Sequence, residues 1–208
     1  MDWYYWLAII GLGVCLLSCI YHFYRIISLG NPPEYARRTG HIGKAVRYSF
    51  TGAMSPKVKE SAYLHMPTYM AGIIYHIGTF LAIFLFLFAL AGIRPDGILM
   101  YASGGILLLS FLCGTAILIK RLGKHELRSL SNPDDYISNI LVTAFQLFTV
   151  LAMLELSFVP VYFIISAILL LYFPLGKLKH AVYFFAARYH LGYFYGWRDV
   201  WPPKPIKK

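Results

Sequence analysis

His76 stands about ten residues into the apolar stretch that starts with the second of five apolar runs, roughly 15 Å along a helix axis at 1.5 Å per residue. An ionisable side chain at such a depth in a bilayer is costly, so its presence points to a function. A neutral imidazole can hydrogen-bond across to another helix, or it can ligate iron through a ring nitrogen. Gly72 lies one turn earlier on the same face, and Gly78 and Thr79 follow closely. Bulk is therefore missing where a flat macrocycle would approach the helix, which favours haem b over a plain interhelical hydrogen bond.

His180, at the end of the fifth run, is the natural partner. That run would lie antiparallel to the one holding His76, bringing the late part of one level with the early part of the other. Two facing imidazoles can then ligate one iron; hydrogen bonding at the interface beside Lys179 is the competing reading of His180. His65 lies eleven residues before His76, and His190 ten after His180, so the same geometry offers them as a second ligand pair. Such a pair would sit at or below the cytoplasmic interface among exposed bases, where haem b would lose its apolar pocket. Lys120, Arg121, Lys177 and Lys179 lie at a depth suited to haem propionates, with interfacial snorkelling as the alternative.

Other polar residues in or near apolar runs carry simpler readings. Glu155 is the one carboxylate near the far end of a run that could accept a proton from a quinol, and it could equally mark the boundary of its helix. His22 reads as an interfacial hydrogen-bonding group or a donor to a propionate or quinone, and His41 and His125 as solvated loop residues. Cys15, Cys19 and Cys113 lack the paired spacing of a zinc or iron–sulfur site and read as small buried hydrophobes.

The elements that must position these residues follow from composition. With 59% hydrophobic and 13% charged residues and a mean hydropathy of +0.60, the chain has too little charge to cover a soluble surface. The expected fold is an all-α membrane protein, a five-helix transmembrane bundle with spans near Trp3 to Ile27, Pro67 to Ile93, Ile98 to Ile119, Tyr136 to Ser157 and Phe158 to Leu175. The first run has no basic leader or small-residue cleavage site and reads as a retained helix. Residues 1–180 form the membrane domain on this reading, and residues 181–208 an aromatic and basic tail suited to interfacial anchoring or subunit docking.

Arg37, Arg38, Lys44, Arg47, Lys57 and Lys59 crowd the first connection, Lys120, Arg121, Lys124 and Arg128 the third, and Lys177, Lys179, Arg188, Arg198, Lys204, Lys207 and Lys208 the carboxyl-terminal segment. The positive-inside rule puts all three in the cytoplasm and the amino terminus outside. The net charge of +10 is explained by topology and anionic lipid head groups, and no separate basic domain suggests nucleic acid.

The stretches Tyr75-His76-Ile77-Gly78, Ile117 to Leu122, Asp135 to Gln146 and Phe173 to His180 resemble the gamma subunit of respiratory nitrate reductase and the related small cytochrome b subunits of transmembrane redox complexes in sulfate-reducing organisms. The likeness covers nearly the whole chain. It implies five helices, an external amino terminus, and ligation of the haem nearer the cytoplasmic partner by the residues at His76 and His180. The family's second haem has its two histidines at positions that fall on Phe86 and near Tyr162 here. The resemblance thus implies one haem, or two only if His65 and His190 hold a displaced one.

The resulting expectation is a multi-pass protein of a prokaryotic cytoplasmic (inner) membrane. It would pass electrons between menaquinone or another quinone and a cytoplasmic iron–sulfur subunit, beside other membrane or extracytoplasmic redox subunits. A haem-free or partly haem-depleted scaffold of such a complex is the rival. A proton-relaying transporter is a third reading, although the chain shows neither paired repeats nor broken central helices.

Overall fold

The computed structural model describes residues 2–29, 34–56, 58 and 64–203, which are helical with no strand among them. Lys57, Lys59, Lys204, Lys207 and Lys208, counted above for topology, lie outside the described residues. The helices are α1 (Trp3–Leu29), α2 (Ile42–Phe50), α3 (Met66–Leu90), α4 (Gly97–Gly123), α5 (His125–Ser129), α6 (Pro133–Leu154), α7 (Val159–Tyr172) and α8 (His180–Trp197). Four of them, α1, α3, α4 and α6, are long and apolar enough to cross a membrane. A fifth span exists if Leu156–Tyr172 and Lys177–Trp197 count together.

The ends of these helices follow from local chemistry. α6 starts at a capping box, where the Asn132 side chain accepts from the Asp135 N–H at 3.0 Å and the Asn132 N–H donates to Asp135 Oδ2 at 3.1 Å. Pro133 at the first helical position fits the same start. α3 ends in a Schellman motif: the Ile93 N–H donates to the Phe88 carbonyl at 2.9 Å and the Gly92 N–H to the Ala89 carbonyl at 3.1 Å. Gly92 takes φ +75 there, the left-handed conformation that favours glycine. α7 is confined between Pro160 in its first turn and Pro174 just past its end. Its 14 residues cover only about 21 Å at 1.5 Å each, so the separate fifth span expected at Phe158 to Leu175 is shorter than a bilayer requires.

The chain divides into two compact units, residues 1–18 with 67–178 and residues 19–66 with 179–208. In the first unit, α3, α4, α6 and α7 pack with the start of α1 around an apolar core that includes Leu85, Phe86, Leu107, Phe145, Tyr162 and Phe163. Gly11 of α1 lies against α7, where an added Cβ would come 3.3 Å from the Ala167 backbone. Close approach through small residues is how helices pack when lipid supplies no hydrophobic drive between them.

The second unit brings α2 onto α8. Ala45 and Ser49 on α2 and Gly192 and Gly196 on α8 are buried, four residues apart on each helix, so two small-residue stripes face each other. A Cβ at Gly192 would fall 2.5 Å from Val46 Cα. Ser49 Oγ donates across to the Arg188 carbonyl at 2.8 Å. The Trp197 indole N–H donates to the Ala36 carbonyl at 2.6 Å, and Arg198 pairs with Glu34 at 2.7 Å. The tail thus joins the first connection in one folded piece.

Candidate functional site

His76 lies on the side of α3 away from the core of the first unit. The buried positions of α3 are Gly78, Ala82, Leu85 and Phe86, whereas His76, Ile77, Phe80 and Leu87 are exposed in the isolated chain. At Gly72, one turn before, an added Cβ would meet nothing within 4 Å. The strip of α3 around Gly72 and His76 is therefore an open, mostly apolar face with one imidazole on it. Such a face would suit a flat, apolar group held through a ring nitrogen, as haem b would be. His76 belongs to the first unit; His180, exposed at the first position of α8, belongs to the second. Among the described residues no group of three or more His, Cys, Asp or Glu side chains could hold a bare metal ion.

On the opposite side of α3 the helix is locked. The Tyr75 carbonyl accepts from Thr79 Oγ1 at 2.7 Å, from Ser110 Oγ of α4 at 3.1 Å and from Gln146 Nε2 of α6 at 3.2 Å. Gln146 Nε2 also donates to Thr79 Oγ1 at 2.8 Å. The Tyr75 hydroxyl lies 2.9 Å from Thr143 Oγ1 and donates to the Asn139 carbonyl at 3.1 Å. Ser110 and Gln146 are completely buried, and Gln146 Oε1 has no hydrogen-bond partner. Gly114 makes room for the Tyr75 ring; a Cβ there would also come 2.7 Å from Thr143 Oγ1. Buried polar groups of this kind hold helices together in an apolar medium because the alternative is an unsatisfied group.

The positions matching the family's second ligand pair meet one another. The Phe86 and Tyr162 rings, each 3% exposed, have centroids 6.2 Å apart. Phe145 stacks on Tyr162 at 6.0 Å and 6°, and Phe86 approaches Phe145 at 6.2 Å and Phe163 at 6.3 Å. Carbon rings occupy the level where imidazoles would be needed, so these residues do not fit a haem. A cavity of about 90 Å³ just beyond them is lined by Ala89, Arg94, Thr149, Met153 and Val159 as well as Tyr162.

The cations expected near propionates have partners within the fold. Arg121 donates to Ser131 Oγ at 2.8 Å and lies 3.6 Å from Asp135, whose carboxylate also pairs with Lys177. Lys120 donates to Thr68 Oγ1, and Lys179 is half-buried just before α8. Asp134 accepts from the Tyr172 hydroxyl and from Ser138 Oγ at 3.0 Å. Asp134 and Asp135 are site residues that the sequence reading did not assign; the helix-start signature Asn132-Pro133-Asp134-Asp135 is the signal that could have pointed to them.

The remaining candidates are dispersed. Glu155 is exposed at the end of α6 and accepts from the Ser157 N–H at 3.4 Å. His65 is exposed just before α3, and His190 is half-buried on α8 with its ring 5.8 Å from that of Tyr189. The His22 ring lies edge-on to Tyr183 at 6.2 Å. Among the cysteines, Cys15 is buried and Cys19 and Cys113 are half-buried. Neither a family profile, nor a curated protein, nor a solved structure matches this chain.

Proposed function

We propose that the chain is the haem b membrane subunit of a multisubunit respiratory redox complex, similar to the nitrate reductase gamma subunit and the small sulfate-reducer cytochromes. The observation that carries this reading is an imidazole, His76, set beside the Gly72 gap on an open apolar face of a membrane-length helix. Haem b, when bound, supplies a one-electron centre inside an apolar medium. His76 and His180 would hold its iron through neutral ring nitrogens. Lys120 and Lys179, with Arg121 and Lys177 shared with Asp135, would offset propionate charge.

The proposal includes a five-span bundle in a prokaryotic cytoplasmic membrane, its fifth crossing made by the bent pair Leu156–Tyr172 and Lys177–Trp197, with its amino terminus outside and its basic connections and carboxyl-terminal end inside. On that topology His76 lies towards the cytoplasmic side. The basic segments around α2 and α8 would receive an acidic face of an iron–sulfur partner and anionic lipid. Menaquinone or another quinone would be the membrane-soluble donor or acceptor, with Glu155 offered as a proton acceptor at the outer end.

A second reading, a haem-free anchor subunit, draws on the aromatic packing of Phe86 with Tyr162, which is what loss of a cofactor site would leave behind. A pyridine-haemochrome assay on the purified chain separates the two. One haem b per chain, lost in both His76→Ala and His180→Ala, is expected. No b-type spectrum would leave the anchor reading, and a six-coordinate haem retained in His180→Ala would refute the ligand pair.

A further inference from the structure

The Tyr75 carbonyl is unusual in its setting. It already belongs to a helix, yet it receives side-chain donors from its own turn, from α4 and from α6. The same residue's hydroxyl is held by Thr143 and the Asn139 carbonyl. Tyr75 is thus gripped at both its backbone and its ring, and the residue next to it is His76.

Successive residues on a helix point about 100° apart. Locking Tyr75 into the α3–α4–α6 interface therefore fixes which way His76 faces, namely out onto the open strip with Gly72. Simple adhesion between helices would need only one such bond at any register. Convergence on the carbonyl directly preceding the imidazole instead restrains the rotation of α3 at that point. Thr79, Ser110 and Gln146 come from three helices, so a rotation of α3 would have to break bonds to two neighbours at once.

We propose that Thr79, Ser110 and Gln146 are positioning residues that set the orientation of the His76 imidazole as a haem ligand. This rests on the haem reading above. Outer-shell partners of metal-ligating histidines typically contribute 10- to 100-fold in affinity, and here the restraint is exerted one residue away through the backbone. The expected effect of removing it is about a tenfold loss in haem retention.

The test compares wild type, Gln146→Leu, Ser110→Ala, Thr79→Val and Thr79→Ser in the full-length, haem-loaded protein. Thr115→Val is the control, because among the described residues Thr115 Oγ1 bonds to the Phe111 carbonyl of its own helix, at 2.9 Å, and to no other helix. Four readouts are taken: haem retained per folded chain, the ferric EPR signal, the haem midpoint potential, and thermal unfolding in detergent. The expected result is a shifted or broadened EPR signal and a shifted potential in Gln146→Leu, Ser110→Ala and Thr79→Val while the protein remains folded. Thr79→Ser, which keeps the hydroxyl, and Thr115→Val should match wild type. Folded variants that have lost stability but keep the wild-type EPR signal and potential would overturn the proposal and leave the network as adhesion alone, with the haem reading intact. Should Gln146→Leu fail to fold, Ser110→Ala and Thr79→Val decide by the same criteria. Wild-type protein with no haem would overturn both.

Discussion

Phe86→Ala separates packing from ligation. Phe86 is 3% exposed and meets three aromatic rings, Phe145, Tyr162 and Phe163, at 6.2 to 6.3 Å. In a water-soluble core, Phe→Ala typically costs about 3–5 kcal/mol, part transfer free energy and part cavity. Within a bilayer the transfer part largely vanishes, because a separated helix remains in hydrocarbon. What remains is the void and the lost ring contacts, each aromatic pair being worth about 0.5–1.5 kcal/mol. Together they predict a destabilisation of about 2–3 kcal/mol. The assay is reversible unfolding in mixed micelles followed by tryptophan fluorescence, run beside a haemochrome determination on the folded fraction. The reasoning requires stability to fall while haem per folded chain stays constant. A variant that keeps its stability but loses haem would refute it, since the aromatic cluster would then be part of the haem site.

Three further perturbations follow from the same structure. Asp135→Ala removes half of the α6 capping box and the carboxylate shared by Lys177 and Arg121; with the cations partly exposed, the loss should be about 2 kcal/mol, and part of it should disappear in high salt when unfolding is measured at both ionic strengths. Gly192→Leu would drive a side chain into the Val46 backbone, so α2 should separate from α8 and the His41–Thr51 segment should become sensitive to limited proteolysis; Gly43→Ala, which meets nothing within 4 Å, should leave that segment protected. The Ala36 N–H, the largest effect, holds the Glu34 carboxyl below the usual glutamate range; burial, the next in size, opposes it, and the Arg198 guanidinium adds to the lowering. A lowered folded pKa means that the Glu34 tie contributes above the unfolded pKa and fades as pH falls through the folded one, so Glu34→Gln should flatten the acid side of the protease-sensitivity profile of the α2–α8 unit.

The apolar helices were legible because length and hydropathy dominate their formation, and the differences at their ends have local causes. α4 runs on to Gly123 rather than stopping near Ile119, since Lys120 and Arg121 in its last turn are favoured by the helix dipole and can reach to the interface. α6 starts at Pro133 rather than Tyr136 because the cap at Asn132 overrides an apolarity threshold. The α2–α8 pair was not legible: Ala45 and Ser49 match Gly192 and Gly196 across a long sequence separation, and small residues four apart do not announce their partner. The polar interior was partly legible. Asn139, Thr143 and Gln146 recur at helical spacing within an apolar span, and Tyr75 and Thr79 do the same on α3. That periodicity marks a polar stripe, but which carbonyl it grips depends on how three helices meet.

α3 shows why the two kinds of residue can coexist on one membrane-length helix. Gly78, Ala82, Leu85 and Phe86 face the core, and Tyr75 and Thr79 reach the neighbouring α4 and α6 at the edge of that face through hydrogen bonds. Gly72 and His76 lie on another side of the helix, where His76 is exposed and a Cβ added at Gly72 would meet nothing within 4 Å. Had the same helix been held only by apolar contacts, sliding or turning by one residue would cost little in a medium as apolar as the side chains themselves. A turn of one residue moves His76 by about 100°, enough to take it from the open strip towards the packed interface. Directional bonds at Tyr75 make that turn expensive, because it would leave Ser110, Gln146 and Thr143 buried without their partners. The polar network therefore does for rotation what apolar packing alone cannot do in lipid, and it does so at the residue directly before His76.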